Sequence, residues 1–450
     1  MLFDGNGQLA VAALGTSGNP FVVSTEAQLR QVGTGTPAGW TLAAHYRLGN
    51  NITLPATPVW TPIGTTTNPF TGSFDGDGFT IFGLRITAAA GSQGMFRALN
   101  GTIRNLTLDQ ANITNAGISS SALVGEIMAG ATATINNVTI QNSAISGGVA
   151  SGDNTLGAIL GNIGGNVTIT NCRVINTTVN GAGGRTGGLF GGASAGGSGL
   201  IANNFVNTTV SSTGPNVGGI GGINNSTTGL TIEFNVFAGN ITASSNNSGG
   251  IIGGGVGSST TRNNIVISER ITSTGTARRI DPVGTVALAN NRAFSGTLVN
   301  NAAATGTLTD LNGLSITAAE VRTQSTWATA GFDFATVWEW QDGFMPRLRG
   351  DNSAWIPWAQ HLDGIVRNQA QLITALAETP TGGTIQIGAN FDINASITMP
   401  NKTLTIQSVA GQTYTIRRAG SGGITPFVMF DVSAGNLTLE NITIDGGAVW

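Results

Sequence analysis

The chain has 450 residues, 68 of them glycine, with 40 % apolar and 9 % charged positions, a net charge of −3 and a single lysine, Lys402. This balance excludes a charge-solvated disordered chain, collagen, which needs glycine at every third position, and a nucleic-acid partner, which needs a basic stripe. One cysteine (Cys172) and two histidines (His45, His361) exclude a disulfide framework and a zinc cluster, so no cofactor or metal is expected. No apolar run is long enough to span a membrane, and Met1 to Gly7 lacks the pattern of a signal peptide.

Residues 1–19 form a lead-in. In the block Pro20 to Leu29, Ser24-Thr25-Glu26 precedes the apolar Leu29, which reads as the cap of a short helix rather than a nucleophilic serine. His45 stands ahead of a predicted strand with no serine, cysteine or acid at motif spacing, and His361 is equally isolated. Asp75-Gly76-Asp77-Gly78 sets two carboxylates two residues apart. They read as half a calcium loop or a tight turn, and the flanking glycines favour the turn.

From Gly94-Met95-Phe96 onward the chain repeats itself. Ala122-Leu-Val-Gly125, Ala158-Ile-Leu-Gly161, Gly188-Leu-Phe-Gly191, Gly219-Ile-Gly-Gly222 and Gly250-Ile-Ile-Gly253 recur at steps of 28, 36, 30, 31 and 31 residues. A second box follows each: Thr102-Ile-Arg-Asn-Leu-Thr-Leu108, Thr134 to Ile140, Thr168 to Val174, Leu200 to Val206, and weaker copies at Thr231 to Phe237 and Thr261 to Ile267. Apolar and polar residues alternate inside the boxes, β-branched residues dominate, and glycine or asparagine bounds the ends, as in short strands. With a third short strand, about thirty residues make one coil of a solenoid.

Successive coils stack at roughly 4.8 Å, which places equivalent residues above one another. Asn105, Asn137, Asn171 and Asn203 share the fourth box position and Asn204, Asn235 and Asn264 the fifth, which predicts one structural asparagine ladder that shifts by a residue midway. The many Asn-X-Ser/Thr triplets, such as Asn51-Ile-Thr53, read as the same ladders beside threonine strands. Cys172 aligns with Leu106 and Val138 and is expected inside, as a small apolar group.

Together with Tyr46 to Ile52, Trp60 to Gly64, Phe70 to Ile81 and the close Gly331-Phe-Asp-Phe334, Trp338, Asp342-Gly343, Pro346-Arg-Leu348, these boxes resemble bacterial surface proteins carrying GLUG repeats. The resemblance covers about residues 20–349. It implies an all-β, pectate-lyase-like, right-handed parallel β-helix with a short N-terminal capping helix, in an extracellular, cell-surface protein. Two boxes depart from the pattern with Ala for the first Gly, and another has Gly as its third residue.

Glu269, Arg270, Arg278, Arg279 and Asp281 form the densest charge in the repeats and read as surface salt bridges, with an acidic sugar as the other option. Five tryptophans, Trp327, Trp338, Trp340, Trp355 and Trp358, read as bulky cover for the open end of the last coil, with sugar stacking second. Residues 350–368 are a linker or cap. Helical spacing of Leu372, Ile373 and Leu376, followed by strands from Thr384 to Ile444, marks residues 369–450 as the start of a second β-helix.

Lyases and hydrolases share this architecture but need clustered carboxylates, and between Gly130 and Asn264 the only acids are Asp153 and Glu233. The expected function is therefore that of a non-enzymatic adhesin or surface stalk, with a glycan or a host or neighbouring surface protein as partner. Arg278, Arg279, Trp355 and Trp358 are its weak binding candidates. A β-helix polysaccharide lyase or hydrolase is one alternative, and a self-assembling fibre or phage-tail subunit another. The final coil, Leu437 to Gly447, is expected to continue in a longer protein or to associate end to end.

Overall fold

The computed structural model describes residues 13–87, 90–115, 117–147, 154–244, 247–284, 287–351, 353–359, 362, 364–419 and 427–446. His361 and Asp153 lie outside the described residues. The described residues between 20 and 316 wind into a parallel β-solenoid whose coils pair strand on strand. One inward column runs Phe21, Tyr46, Phe74, Ile103, Ile135, Ile169, Ile201, Ile232, Thr261 and Leu288, each residue in register with the next. A second column of Met95, Leu123, Ile159, Leu189, Ile220, Ile251 and Ile280 is fully buried. All but Ile280 are the apolar centres of the first box. Its leading glycine reflects close approach: a Cβ on Gly188 or Gly219 would stand 2.1 Å from the carbonyl oxygen of the glycine one coil on.

The N-terminal helix, α1 (Glu26–Gln31), is capped by Thr25, whose hydroxyl accepts from the Gln28 amide while Gln28 Oε1 accepts from the Thr25 amide. In the sixth repeat the register pairs Thr231 with Thr260, so that box begins at Thr260, one residue before the predicted start.

The asparagines form two parallel columns rather than one that shifts. The fourth-position residues Asn105, Asn137, Asn171 and Asn203 turn the corner with φ of 53 to 57°, followed by Phe234, Asn263 and Asn290 in the same conformation. Asparagine tolerates this left-handed backbone, and a glycine-free corner otherwise costs energy. The fifth position points inward throughout, carrying Leu106, Val138 and Cys172 and then Asn204, Asn235, Asn264 and Asn291, all essentially inaccessible.

The tryptophan-rich segment lies along the flank of the solenoid, a correction to the expected end cap. It includes α2 (Ala318–Val321) and α3 (Gln324–Thr329). Trp327, Phe332, Trp338, Met345 and Leu348 form one cluster with Phe205, Val236, Ile265 and Phe294, which face outward from successive coils. Trp338 Nε1 donates to Asn203 Oδ1 at 3.3 Å, and the buried Arg173 pairs with Asp351. Phe234, strained for a bulky residue at φ 54°, meets Phe332 edge-on at 6.0 Å between ring centroids. The coils need this cover because both faces of the strands are apolar there.

After the cover, α4 (Gln369–Glu378) leads into a second set of parallel strands: Thr384–Ile387, Thr403–Ser408 and Asn436–Glu440 stack in register, as do Phe391–Ile393, Tyr414–Arg418 and Ile442–Asp445. A separate core of Leu372, Leu376, Ile385, Ile387, Ile393, Leu404, Ile406 and Ile416 holds this unit. No helix among the described residues is long and apolar enough to cross a membrane.

Candidate functional site

A trough of about 600 Å³ runs along the second corner of the solenoid, where the segment leading into α4 stands beside it. Its origin is a change of one residue in coil length. In the strand Arg173–Gly181, Asn176 turns the corner at φ 48° and has no counterpart one coil on, where Ile175 pairs with Asn207 and Thr177 with Thr208. The missing residue leaves a ledge. The floor passes from Asn176, Thr177 and Thr178 to Asn207, Thr208 and Thr209, then to Ala238, Gly239, Asn240 and Glu269, and the wall holds Ala359, Arg367, Asn368 and Gln371. Gly239 allows the coils to close up, because a Cβ there would lie 1.8 Å from Thr208 O.

The polar groups of the trough divide into two sets. Thr177 and Thr208 spend their hydroxyls on the Ile175 and Thr177 carbonyls, Asn240 Oδ1 accepts from the Arg270 amide, and Asn368 Oδ1 caps α4 through the Gln371 amide. The side chains of Thr178, Thr209 and Glu269 are exposed, and theirs and that of Asn207 carry no hydrogen bond among the described residues. Among the described residues the site is therefore a row of amides and hydroxyls with one carboxylate and one guanidinium.

The binding candidates named from sequence do not converge on this site. Arg278 is half-buried and donates to its neighbour's carbonyl, Ala277 O. Arg279 is fully inside, donating to Phe294 O, Gly313 O and Ser315 Oγ, with burial pushing its guanidinium down to about 10. A ligand outside the solenoid has no access to it. Burial also raises the Asp281 carboxyl, which accepts from the Val283 and Gly284 amides. Among the described residues the cluster Glu269, Arg270, Arg278, Arg279 and Asp281 forms no salt bridge, and it is split by burial: Glu269 and Arg270 are exposed, Arg279 and Asp281 buried. Trp355 lies under Arg347, 4.1 Å from the guanidinium carbon to the ring centroid, and Trp358 meets Trp340 at 6.0 Å; both serve the flank.

The buried amides form a continuous chain of hydrogen bonds. Asn204 Nδ2 donates to Asn235 Oδ1 at 2.8 Å, Asn235 to Asn264 at 3.1 Å and Asn264 to Asn291 at 3.1 Å, while each oxygen also accepts the backbone N–H of the coil before. Asn291 escaped the sequence reading, although Leu288-Ala-Asn-Asn291 repeats Ile201-Ala-Asn-Asn204. At the head of the chain of amides the Cys172 amide donates to Asn204 Oδ1, and burial pushes the thiol up to about 12. It is an inert filler.

A second polar patch occupies the outer face of the first coils. Asp75 is partly buried, which raises its carboxyl, but hydrogen bonds from the Asp77 amide, Asn105 and Arg104 outweigh this and hold it below the usual range. Arg47 pairs with Asp77 at 2.9 Å, and the positive φ of Asp77 makes the segment a turn. His45 Nδ1 and Ser73 Oγ lie 2.7 Å apart. The 28-residue separation, one coil, hid this pair from motif spacing.

No family model matches the chain. It is similar to a protein of Evansella cellulosilytica named as a Gly-rich membrane protein, 36 % identical over 121 residues, which cover 25 % of this chain and 13 % of that one. Halomucin of Haloquadratum walsbyi is 35 % identical over 113 residues, covering 23 % of this chain and 1 % of its own. The chain thus spans a small part of either relative. A solved structure from Bacteroides ovatus, named as an immunoglobulin A1 protease, aligns with a TM-score of 0.49 and 18 % identity over 74 % of this chain and 94 % of its own.

Proposed function

We propose that this chain is a non-catalytic, extracellular β-helix of a bacterial surface protein, acting as an adhesin or stalk that holds a glycan or protein ligand against its flank. The observation that carries the reading is the composition of the trough. A glycoside hydrolase of the usual kind needs two carboxylates about 5–10 Å apart across its substrate, and Glu269 is the one carboxylate among the described residues that line the trough. Hydrogen-bonding groups held on a stiff floor suit retention rather than turnover. The names of the two relatives support a place at the cell surface. The test applies the purified chain to a panel of polysaccharides, cell walls and host glycoproteins. Saturable binding without release of reducing ends or unsaturated products is expected; turnover of any member overturns the reading.

A further inference from the structure

The trough has a chemistry that narrows its ligand. Among the described residues its ionisable lining groups are Glu269 and Arg367, one of each sign, so no surplus of positive charge favours a polyanion. Among the described residues its lining contains no aromatic ring, so they offer no stacking platform of the kind nucleobases use. The floor is made of side chains from strands already paired on both sides, so an extended peptide finds no free edge to join. Amides and hydroxyls remain, groups that donate and accept equally well and repeat along the axis at roughly 4.8 Å.

We propose that the trough binds an uncharged oligosaccharide lying along the solenoid axis, its hydroxyls meeting Asn207, Thr178 and Thr209 and donating to the Glu269 carboxylate. This rests on the adhesin reading and gives it a ligand class and a location. Ring hydroxyls match such a lining because each can both give and take a hydrogen bond, whereas an acidic sugar would set its own carboxylates beside that of Glu269. A carboxylate acceptor strengthens the bond to a neutral hydroxyl.

The experiment is titration calorimetry of the full chain with hexasaccharides: neutral gluco-, xylo- and manno-oligomers, chitohexaose, and hexagalacturonate as the anionic arm. At least one neutral hexasaccharide is expected to bind with weak salt dependence, to lose about tenfold or more in affinity with Thr178→Val/Thr209→Val and to weaken with Glu269→Gln. Hydrogen exchange on the same complex is expected to slow at residues 207–209, 239–240 and 367–371, a readout independent of how the variants fold. Hexagalacturonate binding that strengthens in Glu269→Gln and falls steeply with salt overturns the neutral-ligand assignment. Neutral binding untouched by the variants and by exchange at the trough overturns the location. Absence of carbohydrate binding overturns this inference alone if the chain still adheres to cells or host glycoproteins; the adhesin reading falls with it only if that adhesion is absent too.

Discussion

The side-chain nitrogen of Asn235 donates to Oδ1 of Asn264 at 3.1 Å, and both side chains are wholly buried. Each such amide closes its own bond to the next coil and also accepts the backbone N–H of the coil before it, so one side chain satisfies several groups that water cannot reach.

Asn235→Leu tests that role. Leucine fits the column, since Leu106 occupies the same position three coils upstream of Asn204, but it leaves the Asn204 amide groups and Ile201 O without their partner. The expected loss is about 2–3 kcal/mol. Asn137 donates to Asn105 at the exposed corner, so Asn137→Gly, which keeps the left-handed backbone, should cost about 0.5 kcal/mol or less. Denaturant melts compare the two, and equal shifts would show that the inner column carries no special weight.

The flank cover makes a different prediction. Trp338 is fully buried against coils more than 100 residues earlier, and Trp338→Ala should cost about 3–5 kcal/mol, felt mainly by the cover. Hydrogen exchange should accelerate over residues 317–351 and leave the strands Thr102–Asp109 and Thr132–Gln141 protected. Uniform acceleration would mean that cover and coils unfold as one.

Glu378 lies partly buried beside Ser295, and burial raises its carboxyl above the ordinary value of 4.5; the Ser295 hydrogen bond opposes the shift and Glu320 adds to it. A carboxyl raised in the folded state stabilises most when protonated, so its contribution is full below the ordinary value and lost as pH rises through the folded one. Glu378→Gln should therefore melt higher than the parent at neutral pH and lose that advantage near about pH 4. A melting difference that stays flat with pH rejects this.

Lys402, the single lysine, turns back onto the end of α4, where Nζ donates to Ala377 O at 2.5 Å and Thr379 O at 2.9 Å. Cation and helix terminus are complementary, and Lys402→Met should destabilise the second unit by about 1–2 kcal/mol. The readout is exchange within Gln369–Glu378, with the first solenoid unchanged.

Amino-acid pattern alone determined the coil. The thirty-residue period, the apolar centres at Leu123, Ile159, Leu189, Ile220 and Ile251 and the asparagine corners follow from alternation and backbone preference within a few residues, and these survive in the folded chain. The inner asparagine column was legible too, but its separateness from the corner column needed the register, because adjacent residues at a bend face opposite ways. Tertiary structure decided the rest. Consecutive apolar residues such as Phe205-Val206 and Ile265-Val266-Ile267 mark strands covered on both faces, yet they do not say by what, and the tryptophans that cover them lie far along the chain. The trough depends on a single residue, Asn176, absent from the following coil, and on where the segment before α4 comes to rest. Such sites arise from small differences between neighbouring coils and from packing across long separations, neither of which a local pattern records.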